Sequence, residues 1–369
     1  MKTNLVVDVS NIAYQVLTSI TGYKGKKIPE VMKQDRLYLE YDSEKNFLIH
    51  SIHNKMVSIL ELTKNLDVES FVFAFDTFVD KSERFNIFPE YKKTSTRTAT
   101  RCFDKDGMIY CLQKYYEDLK ESGLGALVIN GFEADDVIAE LRSRSSKKNA
   151  FGIISSDGDF KQEVKENVFL YDPINSKVYI NNNSTLLLES ALVDEPILDV
   201  DMFEEFFKPE PTENNYESFK KFLINYIKVD PDLELMKKIL IGDSSDNIDS
   251  CYKYKTKNGS KEFGFTKKRF ENMAEKGIDF ELSDLYEKKK LPSIFSLLAL
   301  ETGRDYDPTR DEELSLLVSR NITLMDLNVV RERNSEAIAL GLGGIRNSFN
   351  LDIKNLYHSS EEKENIQEF

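Results

Sequence analysis

Four short apolar runs in the first half of the chain each stop at, or lead into, acidic residues. "NLVVDVS" ends at Asp8, "SFVFAFD" at Asp76 and "AFGIISSDGD" at Asp157 and Asp159, while "ALVIN" runs into Glu133, Asp135 and Asp136. Unbroken apolar runs of this length predict strands buried on both faces. The segments between them are longer, and several repeat with a helical period. Residues 48–62 place Ile49, Ile52, His53, Met56, Ile59 and Leu60 on one face. In "NGFEADDVIAEL", residues 130–141, Ala134, Val137, Ile138 and Leu141 fall at i, i+3, i+4 and i+7. That spacing predicts a helix with one buried face, whose first turn carries the three acids. Strands alternating with helices predict an α/β fold, a central mostly parallel sheet flanked by helices. Open parallel sheets bind ligands beyond the carboxyl ends of their strands, and that is the edge the acids occupy.

After about residue 195 the pattern changes to helical segments broken by Pro209, Pro211 and Pro231, with no convincing strand until about 320. The expected organisation is therefore an α/β domain over 1–195 and a mostly helical part over 196–369. The polar end, "HSSEEKENIQEF", is expected to fray.

Composition narrows the class. The 369 residues are 40% hydrophobic and 31% charged, which is globular, and enough for one large or two ordinary domains. The longest apolar runs fall short of the ~20 residues that a membrane span needs. The start, "MKTNLVVDVSN", meets Asp8 too early for a signal peptide or an anchor. Cys102, Cys111 and Cys251 are far apart and form neither a disulfide framework nor a zinc motif, so a reducing cytoplasm is expected. The net charge of −14 argues against nucleic acid when taken as a sum. Carboxylates gathered around divalent cations would reverse the local sign.

Convergence of Asp8, Asp76, Glu133, Asp135, Asp136, Asp157 and Asp159, with Asp243 and Asp246 of "IGDSSDNI", would force such a solution. Two carboxylates ~6 Å apart repel by roughly 3 kcal/mol at an effective dielectric of 20. Oxygen ligands without His or Cys select Mg²⁺ or Mn²⁺, and this many suit two metals clamping a phosphodiester. Only His50, His53 and His358 are present, and His53 lies on an apolar helix face, so nucleophilic histidine chemistry is not expected. Each acid also has a plain structural reading. Asp8 can end a strand, "SSDGDF" can be a Ser/Asp/Gly turn, and acids in a first helical turn cap and complement its dipole.

Two basic segments stand out. "KSERFNIFPEYKKTSTRTATR" carries Arg84, Lys92, Lys93, Arg97 and Arg101; if helical, Lys93, Arg97 and Arg101 form one stripe. It reads either as a solvated loop or as a segment that orders on a phosphate backbone. In "GFTKKRFENM", Lys267, Lys268 and Arg269 stand at a predicted helix start, where backbone N–H groups also favour phosphate.

In this order, "VVDVSNIAY", "FAFDTF", "PEYKK", "FEADDVIAEL", "IISSDGDFKQ" and "IGDSSDNI" resemble the motifs of the structure-specific 5′ nuclease (flap endonuclease) family. The likeness is nearest to the ribonuclease H / 5′-3′ exonuclease branch of T-even-type bacteriophages. The resemblance implies a PIN-like core with a helical arch over about 80–120 and a helix-hairpin-helix-like segment over about 240–280. It implies that Asp8, Asp76, Glu133, Asp135, Asp157 and Asp159 surround two Mg²⁺, Asp136, Asp243 and Asp246 completing the set partly through water. Lys92 matches the arch-base lysine at the scissile phosphate, and Arg84 the arginine upstream of it. A monovalent cation at the helix-hairpin-helix-like segment is a further implication. The chain departs from the family pattern at Ser95, where an arginine is usual, and in an insertion from Cys251 to Phe263. "RNITLMDLNVV", 320–330, looks like the closing strand of the phage enzymes.

The expected function is Mg²⁺-dependent 5′-3′ exonuclease, flap endonuclease and ribonuclease H activity on RNA primers and 5′ DNA flaps in lagging-strand replication and repair. Expected partners are DNA and RNA–DNA hybrids, with a sliding clamp and single-strand-binding protein as candidates. The protein is expected to be a monomer without membrane contact, in the host cytoplasm if phage-encoded. The rivals are a PIN-type ribonuclease and a non-cleaving junction-binding accessory.

Overall fold

A computed structural model describes residues 2–20, 42–63, 66–79, 82–93, 105–181, 226–255 and 262–342. The chain forms two compact units, one within Met1–Ser82, Thr100–Val229 and Ser335–Phe369, the other within Glu83–Ala99 and Asp230–Asn334.

The first unit is built on a seven-stranded sheet in the order β3-β2-β1-β4-β5-β6-β7. The strands are β1 Thr3–Asp8, β2 Val68–Phe75, β3 Ala126–Val128, β4 Ala150–Ile154, β5 Val168–Asp172, β6 Lys177–Asn181 and β7 Ile227–Val229. β1 to β5 run parallel to their neighbours, β6 turns back antiparallel on β5, and β7 runs parallel to β6. All six residues of β1 and all five of β4 are buried, as unbroken apolar runs require of central strands. Helices α1 Val9–Ile20, α2 Asp42–Thr63 and α4 Lys105–Glu121 share one core with the sheet. Leu5 and Val7 of β1 join that core, while Val6 is equally buried but has the opposite strand parity. Helix α5, Ala134–Arg144, buries Ala134, Val137, Ile138 and Leu141, the predicted stripe.

The second unit contains the short helix α3 Arg84–Ile87 and, further along the chain, α6 Pro231–Ile241, α7 Lys267–Lys276, α8 Leu282–Tyr286, α9 Leu291–Thr302 and α10 Asp311–Met325. Leu235, Ile239, Phe270, Phe295, Leu298, Val318 and Ile322 lie in its core. Here the structure differs from the sequence expectation at three places. Where no strand was expected before about 320, the described residues hold three: β7 joins the main sheet, and β8 Lys253–Lys255 and β9 Glu262–Gly264 pair as a hairpin that begins within the insertion. The closing strand expected over 320–330 is helical, divided between α10 and α11, Leu327–Gly341. Leu314, Val318, Ile322 and Met325 are buried at helical spacing, and Asp326 restarts the chain by accepting from the Asn328 and Val329 amides. The described part of the arch region up to Lys93 groups with the second unit, while α4 groups with the first.

Among the described residues, no helix is long and apolar enough to cross a membrane.

Candidate metal centre

The register of three adjacent strands sets the site. Asp8 pairs with Ala74 of β2, and Val7 pairs with Ile154 of β4, which puts Asp8 level with Ser155. Asp76 and Asp157 each stand two residues beyond that level. Side chains two apart in an extended chain share a face, and neighbouring strands lie about 4.8 Å apart. Three carboxylates from β2, β1 and β4 are therefore brought to one face of the carboxyl edge.

Local hydrogen bonds hold them. Asp8 Oδ1 accepts from the Asn11 amide at 3.0 Å, and Asp8 Oδ2 accepts from Ser155 Oγ at 3.0 Å. The same Ser155 Oγ accepts from the Asp157 amide at 3.0 Å. Asp157 caps a 3-10 turn over Gly158–Glu163 by accepting from the Asp159 amide at 2.9 Å. Asp76 Oδ1 accepts from the Ala134 amide at 2.8 Å, tying the end of β2 to the first turn of α5.

At that first turn Glu133 and Asp136 form a reciprocal capping box, with Asp136 Oδ2 accepting from the Glu133 amide at 3.1 Å. Asp136 is buried, and one of its carboxylate oxygens serves the helix start, as the Glu133 side chain does in return. Asp135 is half-buried, and its Oδ1 accepts from the Asp136 amide.

The electrostatics of this edge are unfavourable for the bare protein. Asp8 is held well above the usual carboxylate range, first by burial and then by repulsion from Asp76, with Asp157 adding to it. The Asn11 and Ser155 hydrogen bonds pull the other way but do not win. Among the described residues, no three Asp, Glu, His or Cys side chains are already drawn into a coordination cage. The donor set is nonetheless oxygen-only and mutually repulsive, the chemistry that a hard divalent cation relieves.

Ser155 and Asn11 were not singled out from sequence. Asn11 Oδ1 accepts from the Ser156 amide at 3.1 Å, so α1 is tied to the loop after β4. The available signal was adjacency, since both lie within the motifs carrying Asp8 and Asp157. Asp172 shows the limit of the strand-end rule. It ends β5 and is buried, but it accepts from the Ile174 and Asn175 amides and from Ser156 Oγ, which makes it a turn former.

The remaining predicted residues lie in the second unit. After α6, Gly242 (φ 79°) turns the chain into a loop closed by the Asp243 amide to Ile248 O at 2.8 Å and the Ile248 amide to Asp243 O at 2.7 Å. Asp243 Oδ1 accepts from the Ser245 amide and hydroxyl, so one of its oxygens is already committed to this turn. Asp246 Oδ2 accepts from Tyr91 OH at 3.0 Å, and Tyr91 OH accepts from Arg84 Nη1 at 3.1 Å. Arg84, matched by resemblance to the arginine upstream of the arch-base lysine, is only 4% exposed and is a buried partner of Tyr91. Lys92 is half-buried and Lys93 exposed, with Lys93 near Glu90 at 3.4 Å. Arg97 and Arg101 lie outside the described residues.

At α7, Lys267 and Lys268 are exposed beside the helix start, with Lys267 3.7 Å from Glu271. Arg269 is half-buried and also has a structural place. Its guanidinium donates to the Glu301 carbonyl near the end of α9 and lies 5.5 Å from the Tyr254 ring, which makes it part of the fold. Gly264 is required just before this helix, because an added Cβ would come 2.7 Å from the Ser250 Cβ. Ser250 Oγ is where the Phe265 amide and the Leu240 carbonyl meet.

A mostly parallel sheet with acids at its carboxyl edge defines a class of α/β proteins, and sequence comparison places the chain within it. Residues 5–191 match the model for the 5′-3′ exonuclease N-terminal resolvase-like domain, and the chain belongs to that family. It is 31% identical over 138 residues to a 5′-3′ exonuclease of Aquifex aeolicus (strain VF5), covering 37% of this chain and 45% of that protein. It is 26% identical over 258 residues to a 5′-3′ exonuclease of Buchnera aphidicola subsp. Schizaphis graminum (strain Sg), covering 67% of this chain and 72% of the relative. The match thus spans less than half the length of the Aquifex protein. Among solved structures, the T5 D15 protein co-crystallized with metal ions is similar in fold, with a TM-score of 0.51 at 17% identity over 98% of this chain and 99% of that one.

Proposed function

We propose that the protein is a divalent-metal-dependent 5′ nuclease that hydrolyses phosphodiesters at RNA primers and 5′ DNA flaps during replication and repair. The observation that carries this reading is the meeting of Asp8, Asp76 and Asp157 at one sheet edge, where burial and then repulsion from Asp76 and Asp157 disfavour the charged form of Asp8. Family membership and the T5 D15 fold support it. Asp8, Asp76, Glu133, Asp135, Asp157 and Asp159 would hold two Mg²⁺, with Mn²⁺ able to replace them. When bound, the cations supply Lewis-acid polarisation of the phosphate and an activated water.

The chain's own residues do the rest. Ser155 and the Asn11 amide orient the Asp8 carboxylate. The Asp136 capping box aims the start of α5, so that Glu133 and Asp135 are presented from a rigid helix. Lys92, matched by resemblance to the family's arch-base lysine, would supply positive charge to a bound phosphate. Lys267 and Lys268 position backbone phosphates without reading sequence. A frayed or flapped 5′ end is favoured because its terminal nucleotides leave their stack at little cost.

The test is incubation with a 5′-labelled flap and a primer RNA on DNA, with Mg²⁺ or with chelator. The expected result is product from the 5′ end in Mg²⁺ alone. Junction binding without any metal-dependent product would sink the enzyme reading in favour of a binding accessory.

A further inference from the structure

In the second unit, two segments separated by 155 residues are joined at a single buried tyrosine. Tyr91 is fully buried, takes a hydrogen bond from Arg84 and gives one to Asp246. Around it the backbones are also tied. The Lys92 amide donates to Asp246 O at 2.8 Å, and Asn247 Nδ2 donates to Glu90 O at 2.9 Å. Lys92 (φ 57°) and Asn247 (φ 62°) both adopt the left-handed conformation that non-glycine residues rarely visit. Each lies next to a member of the Arg84–Tyr91–Asp246 chain. Such outliers persist where surrounding structure over-determines them, and here the crossed hydrogen bonds do so.

The ring contributes separately from the hydroxyl. It meets Phe85 edge-on at 5.5 Å between centroids, and Lys92 Nζ sits 5.1 Å from its centre. Ile248, Leu324 and Met325 complete the apolar surround. A tyrosine needed only for packing would not require its hydroxyl to lie between a guanidinium and a carboxylate. Hydrogen bonds to charged groups in a buried setting are the strong ones, and such a chain holds both ends in register.

We propose that Tyr91 is a positioning residue. Its hydroxyl locks the Lys92 segment to the Asp243–Asn247 loop, so that Lys92 and Asp246 are presented together or not at all. The inference rests on the nuclease reading for its kinetic consequence, but the lock itself is a structural statement.

The experiment compares the wild type with Tyr91→Phe, which keeps the ring and removes the hydroxyl, and with Phe85→Leu, which alters packing on the same ring and removes no hydrogen bond. Amide hydrogen exchange on the whole protein is the first readout. Faster exchange at both 90–92 and 245–248 in Tyr91→Phe is expected, and unchanged exchange in either segment would overturn the lock. Flap cleavage is the second readout. Tyr91→Phe should lower kcat about tenfold or more with little change in KM, and should blunt the added effect of Lys92→Ala. Wild-type kcat in Tyr91→Phe, full additivity with Lys92→Ala, or an equal kcat loss in Phe85→Leu would each contradict the proposal. Should Tyr91→Phe not fold, Arg84→Met opens the chain from its other end and carries the same exchange and kinetic expectations. A wild-type protein that cleaves no flap at all would fail the functional reading, while the exchange experiment would still decide the lock.

Discussion

Asp8 and Asp157 come from adjacent parallel strands and share one hydroxyl: Ser155 Oγ donates to Asp8 Oδ2 and accepts from the Asp157 amide, both at 3.0 Å. Ser155 is fully buried, so this bridge is shielded from water. Residues that orient metal-binding carboxylates typically matter by 10–100-fold in metal affinity or activity. Ser155→Ala is therefore expected to weaken Mn²⁺ binding by roughly that factor. Calorimetric titration checks it, and an unchanged affinity would reduce Ser155 to a packing residue.

Asp8 makes the bare protein pH-sensitive. Its ordinary value is 3.8, and burial with the neighbouring Asp76 and Asp157 raises it in the fold. Above 3.8 the unfolded chain releases a proton that the fold retains, so stability falls as pH rises through the raised folded value. Asp8→Asn removes this penalty. In chelator at neutral pH its melting temperature should exceed that of the wild type, and Mg²⁺ should no longer raise it. Differential scanning fluorimetry across pH, with and without Mg²⁺, gives the comparison; a variant less stable than wild type in chelator would contradict the sign.

The loop carrying Asp243 and Asp246 depends on one glycine. A Cβ on Gly242 would come 2.4 Å from the Ile248 carbonyl oxygen, at a φ of 79° that side chains avoid. Gly242→Ala should cost about 1–3 kcal/mol of stability through that strain. Chemical denaturation measures the loss, and a neutral substitution would show that the loop has another conformation available.

Neighbouring cations at the start of α7 should behave differently. Lys267→Ala and Lys268→Ala are expected to weaken DNA binding across sequences and to reduce the salt slope by about one each, leaving the melting temperature unchanged. Arg269→Ala should lower stability instead, because its guanidinium holds the Glu301 carbonyl and stacks on Tyr254. Binding isotherms at several salt concentrations, paired with thermal melts, separate the two effects.

The parallel sheet and its acid edge were legible because both follow from short-range pattern. Fully apolar runs ended in acids, and the stripe of Ala134, Val137, Ile138 and Leu141 fixed the helix that carries Glu133 and Asp135. Contacts between distant segments left no such mark. Nothing local in "PEYKK" says that Tyr91 reaches Asp246, nor that Arg84 is buried beneath it. Asp172 and Asp136 look like Asp8 and Asp135 as text, and only their partners show that one forms a turn and the other a capping box. "RNITLMDLNVV" reads as a strand because its β-favouring residues hide the helical spacing of Val318, Ile322 and Met325. β7 has only three residues and earns its place by pairing with β6.

Whether the acid edge holds metal is decided by a crystal structure of the protein soaked in Mn²⁺, with anomalous scattering used to locate the ion. Anomalous density is expected against the carboxylates of Asp8, Asp76 and Asp157, with Glu133, Asp135 and Asp159 around it. A soaked crystal with no Mn²⁺ at that edge, at a concentration that supports flap cleavage, would contradict it.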